Sequence, residues 1–148
     1  MRVAPFALII WSFAAPLAAR ETAGTFATWA AFCDEPRKCF AISEPAERTK
    51  HPFLSVAVAG PVLRVSAHLG RPARSAKLTI RGVDFTLAVS GEEAIADTVT
   101  SRRIVAAMRN GESATLVGTS DRGGRFRHHY LLTGAPSAID AAAVASLR

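Results

Sequence analysis

Cysteine occurs only twice in these 148 residues, aromatic residues make up 7% of them, and one long apolar run stands alone at the N-terminus. Two cysteines exclude a disulfide-dense scaffold, and without a nearby histidine they are too few to hold a structural zinc. No Gly-x-Ser-x-Gly elbow, phosphate-cradling glycine loop or dinucleotide fingerprint occurs, so those routes to hydrolase, nucleotide and redox chemistry are absent. There is no internal repeat, heptad or interdomain linker. What is present is a chain of 49% apolar and 20% charged residues. That composition is not a disordered one, and the length suits one domain with a real core.

The apolar run from Val3 to Ala15 follows Arg2 and ends in Pro16-Leu17-Ala18-Ala19 before Arg20. A positive start, an apolar middle and a small-residue end are the layout of a secretory signal peptide. The run is shorter than the roughly 20 residues of a membrane span. Residues 1–19 therefore read as a signal peptide and residues 20–148 as one domain, periplasmic or secreted, with no membrane span in the mature chain. Loss of Arg2, with no acidic residue, lowers the net charge from +6 to +5. That balance favours anionic surfaces but gives no ground for nucleic-acid binding.

Cys33 and Cys39 have five residues between them, including Pro36. In an exported protein this pair predicts a disulfide that fixes one turn. Beyond it, apolar and polar residues alternate with period two. Thr25–Cys33 and Lys38–Ser43 read as strands, Glu44–Pro52 as a loop, and Phe53–Val58 and Val62–Leu69 as strands. In the last of these Leu63, Val65, Ala67 and Leu69 face inward. Ala76–Val89 reads as a hairpin turning at Arg81-Gly82, which opposes Ile80 to Val83 and Leu78 to Phe85 and puts both apolar sets on one side. Thr100 or Ser101 is the predicted cap of a helix carrying Ile104, Val105 and Met108, with Asn110-Gly111 as a left-handed stop. Ser113–Thr119 and Arg125–Leu132 form a second hairpin, and Pro136–Arg148 a short alanine-rich helix. The pattern predicts a mainly β protein, a compact antiparallel sandwich or barrel-like domain with one or two short helices.

Candidate chemistry is sparse. The histidines are His51, His68, His128 and His129, and the adjacent pair points to opposite faces of a strand, so at most one of them serves a shared site. Glu92-Glu93 is read as a solitary pair with diverging side chains. No catalytic residue, metal site or cofactor is assigned. The one positive feature is a basic face: Lys77 and Arg81 lie opposite the core of the first hairpin, and Arg64 joins them if its strand lies in that sheet. Arg125, Arg127 and His129 supply a second basic parity. Arg64, Lys77 and Arg81 are the candidate residues for an anionic surface such as an envelope component or glycan.

The chain also resembles a family through a series of short segments in order. These are Phe26-Ala27-Thr28-Trp29, the cysteine pair, Ile80-Arg81-Gly82-Val83-Asp84-Phe85, Ile104-Val105-Ala106-Ala107-Met108-Arg109-Asn110-Gly111, Gly118-Thr119-Ser120-Asp121-Arg122-Gly123, Tyr130-Leu131-Leu132-Thr133-Gly134 and Ala138-Ile139. They are similar to those of the invasion-associated locus B family, small exported proteins of Gram-negative bacteria. The resemblance implies a β-rich periplasmic or surface-associated protein and transfers no catalytic residue. Many members carry a second cysteine pair in the C-terminal half; this chain has none, so rigidity tied to that bridge is not carried over. The expectation is a non-enzymatic envelope binding or accessory module linked to host interaction. The competing expectation is a small periplasmic hydrolase whose site forms only in the fold, from His128 or His129 with Asp121 and a serine.

Overall fold

The computed structural model describes residues 21–43 and 52–148. The predicted signal peptide, His51 and nearly all of the Glu44–Pro52 loop lie outside the described residues. The strands are β1 (Glu21–Phe26), β2 (Trp29–Glu35), β3 (Lys38–Ser43), β4 (Phe53–Ala59), β5 (Val62–His68), β6 (Ala73–Ile80), β7 (Val83–Ser90), β8 (Glu93–Ile95), β9 (Ser113–Ser120) and β10 (Arg125–Leu131). Helix α1 spans Thr98–Asn110 and α2 spans Ala135–Ala145.

All ten strands join one antiparallel sheet in the order β1-β2-β3-β4-β5-β8-β7-β6-β9-β10. The mainly β expectation holds, but the sheet does not close into a barrel, because β1 and β10 share no ladder. One face is mainly apolar: Trp29, Leu54, Val56, Val65, Leu78, Ile80, Leu116 and Tyr130 are all fully buried. Helix α2 covers β1 to β4 with Ala135, Ala138, Ile139 and Ala142, and α1 covers β5 and β6 with Ile104, Val105 and Met108. The helices are tied by Arg109, whose guanidinium forks onto Asp140 at 2.7 and 3.4 Å.

The first hairpin keeps the expected register, Ile80 opposite Val83 and Leu78 opposite Phe85. Three expectations change. Thr25–Cys33 is not one strand: the chain reverses at Ala27-Thr28, with Ala27 at φ 53°, so Trp29 opens a new strand and faces the core. Helix α1 starts earlier, capped by Asp97, whose Oδ1 accepts from the Thr100 N–H at 2.8 Å. Gly111 is extended at φ −103°, not left-handed; an added Cβ there would meet Ile80 and Leu132, so the glycine is required by close packing.

Ser101 has a different task from capping. Strand β8 stops at Ile95, which leaves the edge of β5 opposite β4 without a strand partner beyond Ser66. The fully buried Ser101 hydroxyl accepts from the Val65 N–H at 2.9 Å and donates to the Ala96 carbonyl at 3.3 Å. A helix side chain thus completes the ladder where the strand ends.

Candidate functional site

Antiparallel pairing fixes what stands beside what on the solvent-facing side of β6, β9 and β10. Lys77, Val117 and Arg127 form one row across the three strands, and Thr79, Thr115 and His129 form the next. Ser75, Thr119 and Arg125 form the third. The rows enclose a shallow trough of about 550 Å³ walled by hydroxyls and ended by Arg125 and Arg127.

The three cations singled out by sequence are not a cluster. Lys77 lies in the trough, but its Nζ is 2.8 Å from Asp84 Oδ2, and Thr79 donates to the other carboxylate oxygen at 2.6 Å. The Lys77 and Thr79 donors hold the Asp84 carboxyl below its ordinary pKa. Arg64 is exposed on β5, three strand spacings from β6 and so about 14 Å away across the sheet. That exceeds the screening distance of about 8 Å at physiological ionic strength. Arg81 occupies the two-residue turn with Gly82, at φ 51° and 75°, beyond the end of the face. The cations that share the trough are Lys77, Arg125 and Arg127. Only the two arginines lack a carboxylate within 4 Å among the described residues.

A second cluster escaped the sequence reading. Glu92 and Glu93 do not diverge, because Glu92 lies in the turn before β8 and the period of two does not yet apply. Both reach His68: Glu93 Oε1 accepts from Nδ1 at 2.6 Å, and Glu92 Oε2 lies 3.5 Å from Nε2. Phe53 stacks on the ring at 5.2 Å. The carboxylates grip opposite edges of one imidazole, so the three side chains do not converge on a point where an ion would sit. No group of three metal-ligating side chains occurs among the described residues.

No family model, curated protein or solved structure matches the chain.

His128 is buried on the core side of β10, in tilted contact with Phe126 at 5.4 Å. His129 faces the opposite side, 3.3 Å from the Thr115 hydroxyl. Asp121 lies in the β9–β10 turn, its backbone carbonyl accepting from the Arg74 guanidinium at 3.0 and 2.6 Å. The groups named for a hydrolase site are thus spread over two faces and a turn. Burial pushes the Tyr130 phenol well above its ordinary pKa, keeping it neutral.

Cys33 and Cys39 are disulfide-bonded and directly opposed on β2 and β3, with Cα atoms 4.0 Å apart. The turn between them and α2 border a larger groove of about 810 Å³. Ala23, Cys33, Pro36, Ala141 and Val144 make it apolar, and charges of both signs, among them Glu35, Arg37 and Arg148, stand at its rim. Among the described residues no helix is long and apolar enough to cross a membrane.

Proposed function

We propose that this is an exported, non-enzymatic binding or accessory module of the cell envelope, as the resemblance to the invasion-associated locus B family implies. Its ligand is an anionic envelope glycolipid or glycan, held at the trough on β6, β9 and β10. Export rests on the N-terminal segment, and a disulfide is in keeping with an oxidising compartment.

The observation that carries the ligand class is the pair Arg125 and Arg127, two exposed guanidinium groups without carboxylate partners among the described residues, at the end of a hydroxyl-lined trough. Guanidinium forks match phosphate and carboxylate oxygens bidentately, and hydroxyls both donate to and accept from saccharide oxygens. The test is binding of residues 20–148 to lipopolysaccharide and to neutral phosphatidylcholine vesicles, at low and high salt. Arg125→Gln/Arg127→Gln should weaken lipopolysaccharide binding about tenfold and flatten its salt dependence, whereas Arg64→Gln/Arg81→Gln should change it little. Equal binding by both double variants, or none by the parent protein, overturns the reading.

A further inference from the structure

We propose that the open edge of β10 is a strand-addition site for an extended, acidic segment of a partner protein. The phase of β10 is set at both ends of its pairing with β9. The Ser120 N–H donates to the Gly124 carbonyl at 2.7 Å, and the Leu132 N–H to the Glu112 carbonyl at 2.9 Å. Antiparallel alternation then turns the backbone groups of the even-numbered residues toward β9, and those of Arg125, Arg127, His129 and Leu131 toward the open side. One contact confirms the phase: the Leu131 carbonyl accepts from the Trp29 indole at 2.8 Å, and so does point away from β9. Among the described residues no strand pairs with the remaining edge groups.

The two ends of the sheet are treated differently. Strand β1 is interrupted by a register shift between Thr22 and Gly24, the latter at φ 148°, and α2 packs on it. Bulges and covering helices are the usual means of blunting an edge. Strand β10 keeps unbroken register over Arg125–Leu131, with neither glycine nor proline. Its one protective feature is charge. A second copy added symmetrically would run antiparallel, setting Arg127 against Arg127 or, in the next register, Arg125 against Arg127, and like charges directly opposed are unfavourable. An acidic strand meets the reverse situation, since two of its alternate side chains would lie beside Arg125 and Arg127, which have no carboxylate partner among the described residues. Main-chain bonds would give affinity and the arginines selectivity, as in other strand additions. Trp29 occupies the last acceptor and so ends the site at Leu131.

The probe is the peptide Thr-Glu-Val-Glu-Val-Glu-Thr, blocked at both ends, titrated into residues 20–148 while amide hydrogen exchange is followed. The Arg127 and His129 amides should exchange freely in the unbound protein and become protected with peptide. Methylating the backbone nitrogens of alternate residues in the phase that faces the edge, or replacing Glu by Lys, should weaken binding at least about tenfold. Leu131→Pro removes one edge donor that β9 does not use, at a residue outside the trough, and should weaken the peptide while leaving lipopolysaccharide binding unchanged. That contrast separates this site from the glycan trough. Protection of those amides in the unbound protein would overturn the proposal, as would equal binding of the methylated or Lys-containing peptides.

Discussion

The Trp29 indole donates to the Leu131 carbonyl across 2.8 Å, joining the second strand of the sheet to the last. Residues 102 apart in sequence are brought together there, and the two ends of an open sheet meet at one corner. Gly134, at φ 90°, seats the chain against the Phe26 carbonyl beside that corner, where a Cβ would not fit. The corner positions α2 as well, since Gly134 is its N-terminal cap.

Trp29→Phe should lower stability by about 2 kcal/mol, part from the lost carbonyl partner and part from the smaller ring. The other tryptophan, Trp11, lies within the predicted signal peptide, so protein beginning at residue 20 carries Trp29 as its single tryptophan. Its fluorescence should shift to longer wavelength in the same denaturant range as the loss of β-sheet circular dichroism. Separate transitions would show that the corner opens before the sheet does.

The cysteine bridge closes a short loop, so its reduction should cost at the low end of the usual range, about 2 kcal/mol or less. Alkylation of the native protein without reductant, read by mass spectrometry, should label neither Cys33 nor Cys39.

Phe85 is 4% exposed on the inward face of β7, with the Arg103 guanidinium of α1 5.7 Å from its ring centre. Phe85→Ala should cost about 3–5 kcal/mol in urea denaturation. A loss below about 1 kcal/mol would mean that the ring does not belong to the core.

Ser101→Ala should cost about 1–3 kcal/mol, because the buried Val65 N–H loses its acceptor. Ser101→Cys restores volume but only a weak acceptor, and should recover little of the loss.

Asp97 accepts from the Thr100 N–H and then from the Thr100 hydroxyl, which together hold its carboxyl below the ordinary value. A carboxyl depressed in the folded state stabilises it above the unfolded pKa, and that contribution disappears as pH falls through the folded pKa. Asp97→Ala should therefore be less stable than the parent near pH 7, with the gap closing below about pH 4. A gap independent of pH would assign the effect to something other than the ionised cap.

Local pattern and tertiary placement divide cleanly in this protein. Period-two alternation and the two-residue turn at Arg81-Gly82 were enough to define the first hairpin and its register, because a one-residue slip would turn Leu78, Ile80, Phe85 and Leu87 out of the core. The cysteine pair was legible for a similar reason: a short turn brings the two strands directly opposite each other. Ala27-Thr28 escaped because neither residue is a usual turn former, and the reversal depends on Ala27 taking a left-handed conformation. The helix cap escaped by a few residues because Asp97, Thr100 and Ser101 are all good caps. Only the end of β8 decides that Ser101 serves the strand instead.

The sequence by itself determined most of the strands, the disulfide and, in the hairpins, the side of each strand that meets the core, since these depend on neighbours a few residues away. The division of Thr25–Cys33 and the short strand β8 were not among them. Strand order was decided only in three dimensions. It set Lys77 near Arg125 and Arg127 rather than Arg64, and closed Glu92 and Glu93 around His68. It also left β10 at an open edge. Alternation says which face a side chain takes but not which strand lies alongside, because every strand here offers the same apolar face to the same core.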